Sequence, residues 1–243
     1  MEILRGEVFR FCGFEEEMKL PFMRETWIMV LPTFAAGFAL LYFGHEAQTW
    51  FFTIPGWVLL VLAVLMLNFF RDFERLPATT PGPREIISPA DGKVVVLAQA
   101  VEKFHLKKKS THIAIFMNPL NNHVQRAPFD GKVLKKTYHP GEFLAAYDDK
   151  ADLVNEQAHV VLELDKKKGM KAKHRIVLKQ IAGLLCRRVK TDAVPGKSLK
   201  QGQRFGRILL GSRVDVFLPL GFKPAVKMGD QVRAGVTVLG ELP

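Results

Sequence analysis

The chain has 243 residues, 48% of them hydrophobic, which allows one or two domains with a sizeable core. A net charge of +11 calls for an acidic partner, either nucleic acid or an anionic membrane surface. The two cysteines, Cys12 and Cys186, lie far apart without paired spacing, so neither a disulfide framework nor a zinc site is indicated, which suits a reducing compartment.

Residues 1–26 mix charged and apolar side chains and read as a short cytoplasmic lead-in. Two charge-free apolar runs follow, Trp27–Gly44 and Phe51–Phe70. A helix needs about 20 such residues to cross a bilayer. The second run meets this, and the first, with Pro32 inside it, is marginal. The connection His45–Trp50 carries Glu46 and no Lys or Arg, whereas Arg5, Arg10, Lys19 and Arg24 precede the pair and Arg71, Arg75 and Arg84 follow it. That asymmetry places both outer flanks in the cytoplasm. Residues 1–76 are therefore expected to form an α-helical membrane hairpin, with helices at about 27–44 and 51–70. A buried hairpin in a soluble core is the competing reading. No cleavable signal peptide is expected, because the first run starts late and no small-residue cleavage site follows it. Membrane attachment makes an anionic lipid surface a better partner for the basic balance than nucleic acid.

Residues 77–83 are rich in Pro, Thr and Gly and read as a linker. The remainder, 84–243, is expected to be mainly β, a sandwich or barrel-like domain. Short β-branched runs occur at Lys93–Gln99, His112–Met117, His159–Leu164, Ile176–Ile181, Ile208–Leu218 and Val232–Leu239, separated by turn residues. The basic stretch Lys166–Arg175 reads as a solvated hairpin tip. Two internal echoes suggest a pseudo-repeat. Pro89-Ala-Asp-Gly-Lys-Val94 recurs as Pro128-Phe-Asp-Gly-Lys-Val133, and Leu199-Lys-Gln-Gly202 more loosely as Val226-Lys-Met-Gly229. The run from Val226 to Gly235 also resembles half of a biotinyl/lipoyl carrier barrel. Such carriers need an acceptor Lys on a later hairpin, and the chain ends at Pro243.

Gly211-Ser212 sits inside an apolar, strand-like run. By itself it reads either as a strand irregularity or as a hydroxyl nucleophile that needs a base. His123 lies in a turn between two strand-like segments, where a site residue or a solvated loop His are both consistent readings. No two histidines have metal-ligand spacing, so no metal is expected.

Four motifs occur in order: Ser88–Val94, Phe116–Pro128, Tyr138–Phe143 and Gly206–Asp215. Together with the paired apolar runs and the exit Asn68-Phe-Phe-Arg-Asp-Phe-Glu-Arg75, they resemble the phosphatidylserine decarboxylase family, in its short bacterial form with a membrane hairpin. The resemblance covers essentially residues 27–240. It implies decarboxylation of phosphatidylserine to phosphatidylethanolamine with a covalent pyruvoyl cofactor derived from Ser212. Ser212 would attack the carbonyl of Gly211 and split the precursor into chains 1–211 and 212–243. His123 would act as base and Asp91 would orient it, with the echo residue Asp130 as the rival. A longer branch of the family has a second His where this chain has Arg126, which would instead pair with a substrate phosphate or carboxylate. His139 and Phe143 are lesser substrate-binding candidates. The resemblance places the protein at the bacterial cytoplasmic membrane with its catalytic domain on the cytoplasmic side, and leaves homo-oligomerisation open. A membrane-anchored adaptor with a carrier-like β domain and no catalysis is the alternative. A serine hydrolase is disfavoured by the missing G-x-S-x-G elbow.

Overall fold

The computed structural model describes residues 24–69, 71–72, 74–75, 80–144, 151–170, 172–184, 189–208 and 212–243. The lead-in to residue 23, Cys12, Cys186, residues 77–79 of the linker and Gly211 lie outside them.

Two helices open the described chain, α1 (Arg24–Glu46) and α2 (Trp50–Phe69). They pack through small residues. A Cβ on Gly37 would lie 2.8 Å from Leu60 Cδ2, and one on Gly56 would lie 2.9 Å from Leu41. Apolar helices in lipid gain little from burying oily side chains against each other, so close backbone approach at small residues carries the packing. Their outward faces expose Ile28, Leu31, Phe38, Trp57, Val61 and Leu65. Both are long and apolar enough to cross a membrane, and only 17% of each span is buried, which disfavours a hairpin hidden in a soluble core. Two such helices suggest membrane association.

The strands follow in the order β1 (Glu85–Ile87), β2 (Gly92–Glu102), β3 (Lys108–Met117), β4 (Val124–Arg126), β5 (Gly131–His139), then a short helix α3 (Ala151–Val154), β6 (Gln157–Leu164) and β7 (Arg175–Ile181). The second half comprises β8 (Val189–Thr191), β9 (Ser198–Leu199), β10 (Arg204–Ile208), β11 (Ser212–Leu218), β12 (Lys223–Pro224), β13 (Gln231–Val232) and β14 (Val238–Glu241). Eight of them form one antiparallel sheet, β13-β2-β3-β11-β7-β6-β5-β9, curled into a half-barrel. Two three-stranded sheets complete the fold, β1-β14-β12 and β4-β10-β8.

The large sheet has a pseudo-twofold between β11 and β7, and the first sequence echo is its signature. The two Asp-Gly turns open β2 and β5. Each strand then bulges at the same place, between Val94 and Val96 and between Val133 and Lys135. Val94 donates to Asp230 O at 2.9 Å and accepts from Gly229, and Val133 donates to Lys197 O at 2.9 Å and accepts from Gly196. The second echo is corrected by this register. Residues 196–202 correspond to 229–235, so Gly202 matches Gly235 rather than Gly229. Both hold positive φ, 81° and 76°, which favours Gly.

Two strand expectations change. The run Ile208–Leu218 is split, with β10 ending at Ile208 and β11 starting at Ser212 in a different sheet. Val232–Leu239 is split into β13 and β14 around a turn in which Val236 N donates to Arg233 O at 3.1 Å. Period-two alternation sorts the large sheet's faces. Ile113, Ile115, Leu162, Leu178, Val214 and Val216 point into the main core, closed by Phe129 and Phe205. Val161, Val177 and Phe217 form a smaller cluster on the other face, beneath Leu106.

Candidate active site

Residues 118–122, Asn-Pro-Leu-Asn-Asn, make a loop held by its own side chains. Asn118 Oδ1 accepts from Leu120 N at 2.8 Å, Asn121 Oδ1 from Asn118 N at 2.9 Å, and Asn122 Oδ1 from Val124 N at 2.8 Å. Short Asn side chains that bond their own backbone are the usual means of fixing such a turn. The loop delivers His123 to a fully buried position. Its Nδ1–H donates to Asn121 O at 2.8 Å, so the neutral ring carries its lone pair on Nε2. Burial pushes its pKa down to about 4, against the opposing pull of the Asn121 carbonyl and the Asp91 carboxylate.

Ser212 is the first residue of β11 and pairs in register with Met117, where β3 gives way to this loop. At the other side of the Gly211 segment, Ile208 N donates to His123 O at 3.2 Å. The described residues flanking Gly211 are thus pinned to opposite ends of the His123 loop. Ser212 Oγ is buried and has no hydrogen-bond partner among the described residues. A buried hydroxyl left unpaired costs about 1–3 kcal/mol and asks for an explanation.

Asp91 stands at the turn into β2. It accepts from Ala234 N at 2.7 Å and is paired with Arg75, and its charge raises the basicity of His123. Asp130, its pseudo-twofold counterpart, is instead engaged by Lys167 Nζ at 2.7 Å and Gln201 N at 2.7 Å.

Arg126 is buried on β4. Its Nη1 donates to Gly202 O at 2.9 Å, and Asp72 and Glu74 lie 3.8 and 3.9 Å away. Those two carboxylates also meet Arg204, which donates to Asp72 at 2.9 Å and to Glu74. Phe143 packs against the main core. His139 stands with His105 and His159, apart from Ser212.

Sequence reasoning missed several contributors. Phe69, the last residue of α2, lies 4.6 Å from the His123 ring and packs on Val124. Arg71 donates to Leu120 O at 2.8 Å, and its own carbonyl accepts from Asn122 at 3.1 Å. Gln125 donates to His123 O at 2.9 Å and accepts from Gln180 at 2.9 Å, an amide relay under the loop. On the far face, Asp215 is fully buried between Arg213 at 2.6 Å and His112 at 2.8 Å. Burial pushes its carboxyl up, and the His112 hydrogen bond and the Arg213 charge hold it below the usual range all the same. Phe69 and Arg71 lie in the exit segment that carries the resemblance; the Gln125–Gln180 and His112–Asp215 contacts depend on distant strands meeting.

The sequence profile of the phosphatidylserine decarboxylase family matches residues 62–240. A phosphatidylserine decarboxylase proenzyme of Citrifermentans bemidjiense is 41% identical over 216 residues, covering 86% of this chain and 94% of that protein. A proenzyme of the same name from Burkholderia lata is 40% identical over 220 residues, 90% of this chain and 95% of its own length. One from Nitrosomonas eutropha is 38% identical over 218 residues, with 90% and 94% coverage. The match spans the hairpin exit, the His123 loop and both flanks of Gly211. The chain belongs to the phosphatidylserine decarboxylase family, a family of carboxy-lyases.

Proposed function

We propose that this chain is a self-processing proenzyme that decarboxylates phosphatidylserine to phosphatidylethanolamine. The observation that carries the reading is the buried Ser212 Oγ, without a hydrogen-bond partner among the described residues, at the head of a strand in register with the His123 loop. A neutral, buried His123 with its lone pair on Nε2 is suited to take the serine proton. Ser212 Oγ then attacks the carbonyl carbon of Gly211, and the Gly211–Ser212 C–N bond breaks to give an ester. Elimination breaks the Oγ–Cβ bond, which leaves a carboxylate on Gly211 and dehydroalanine at 212. Hydrolysis with loss of ammonia yields the pyruvoyl group. Asp91 stabilises the imidazolium that forms on His123, as an acid does in a Ser-His-Asp set. The relatives are named proenzymes, which agrees with such processing.

Amino-acid decarboxylation needs an electron sink that ordinary side chains lack, and a pyruvoyl carbonyl supplies one. The residues present fit a group made at position 212, since Ser212 Oγ is buried there without a partner among the described residues. Around it His123 holds and returns protons, and the apolar Phe69 excludes water. Arg126, bound by Gly202 O and flanked by Asp72 and Glu74, serves in this reading to clamp the hairpin exit. The apolar hairpin would keep the domain at the membrane where the lipid headgroup lies, and the basic flanks favour the cytoplasmic side. The decisive experiment is Ser212→Ala in detergent micelles containing phosphatidylserine. The variant should keep its β circular dichroism and release no CO2; measurable CO2 release would overturn the reading.

A further inference from the structure

On the sheet face opposite Ser212, three histidines converge. His105 comes from the tip of the β2–β3 hairpin, His139 from the end of β5 and His159 from the middle of β6. His159 alternates with the core residues Val160 and Leu162 and shares its face with Val161, whereas Ser212 shares its face with Val214. One ring nitrogen from each histidine lies within 4.8 Å of the other two. His105 Nε2 and His159 Nδ1 are 3.0 Å apart. Zinc–nitrogen bonds of about 2.0–2.1 Å set neighbouring ligands of a tetrahedral ion about 3.3 Å apart. Small side-chain rotations bring this set to that spacing.

We propose that His105, His139 and His159 form a site for a late first-row divalent metal ion, with zinc as its representative, which staples the β2–β3 hairpin tip to β5 and β6.

The surroundings are those of a ligand set. His159 Nε2–H donates to Gln157 Oε1 at 2.8 Å, which leaves the Nδ1 lone pair aimed at its two neighbours. An outer hydrogen bond of this kind is the usual device for orienting a metal-binding imidazole. Gln157 is itself held, donating to Asp152 O at 3.2 Å. His139 Nε2 is buried and has no hydrogen-bond partner among the described residues. The Phe104 ring caps the group, 5.5 Å from His139 and 5.3 Å from His159.

Without the ion, His105 donates its Nε2 proton to His159. Binding moves that proton to Nδ1 of His105, so both facing lone pairs turn to the metal and no net proton is released. An opposing charge is Lys179, which Glu102 partly neutralises at 3.6 Å and which rests over Phe104 and Phe217. Lys135 adds a second positive charge that acts on His105. The all-nitrogen donor set excludes the hard ions calcium and magnesium, which require oxygen ligands. The staple reaches across the sheet, because β11 and β7 separate the hairpin from β6. Clips that join distant parts of a chain restrict it most.

The test uses full-length protein in detergent, without a polyhistidine tag, stripped by chelator and titrated with zinc chloride in a calorimeter. One zinc per chain is expected, with a rise in the thermal unfolding midpoint. His105→Ala and His139→Ala, at half-buried positions, should each weaken binding by about 100-fold, and Gln157→Ala by about 10-fold. No zinc uptake by the wild-type protein would overturn the proposal, as would equal affinity in the two histidine variants.

Discussion

His123 donates from Nδ1 to a carbonyl, so its proton-accepting atom in the neutral state is Nε2. Its pKa of about 4 follows from burial, and it fixes a sign. The base form exists above that pKa and is lost as pH falls through it. The rate of chain splitting, followed by gel electrophoresis of precursor made in vitro, should therefore be flat from about pH 8 to 5. It should fall near tenfold per pH unit below about 4. A midpoint near 6.5, the value of an exposed His, would contradict the burial. His123→Ala should slow splitting by about 10²–10⁴-fold, the range for loss of a general base. Asp91→Asn should also slow it. Asp130→Asn should not, because Asp130 meets Lys167 and Gln201 rather than His123.

The element that ties hairpin to site is the exit segment after α2. Phe69 packs on His123, Arg71 embraces the loop, Asp72 and Glu74 take Arg204, and Arg75 takes Asp91. Arg204 is about a quarter exposed, so solvent screens its ion pairs and the gain is about 1 kcal/mol. Arg204→Ala should lower the unfolding midpoint by about 2–4 °C, and limited proteolysis should cut the exit segment faster. Within the hairpin, Gly56→Val should destabilise the protein in detergent, because the added side chain meets Leu41. The hairpin and most long strands were legible because charge-free length and β-branched runs are local signals. The split at Ile208 and Ser212 was not, since apolar character continues across the change of sheet. The second echo was misaligned for a related reason: β9 and β13 have two residues each and carry no periodicity. The motif residues of the candidate site were legible through resemblance. Their partners Arg75, Gln180 and Phe69 were not, because each arrives from a distant element.

At the scale of the whole molecule, the two halves of the large sheet repeat one plan, yet only one half carries Asp91 beside the His123 loop. The pseudo-twofold gives a shared core closed by Phe129 and Phe205, both almost fully buried. Phe205→Ala in the uncleaved Ser212→Ala background should cost about 3–5 kcal/mol in denaturant unfolding. The central claim is that this scaffold presents Gly211-Ser212 for self-cleavage. Intact mass spectrometry of denatured, purified protein tests it most directly. The account predicts two chains, residues 1–211 and a smaller chain, 212–243, whose first residue has the mass of a pyruvoyl group. A single chain of 27.4 kDa would contradict it.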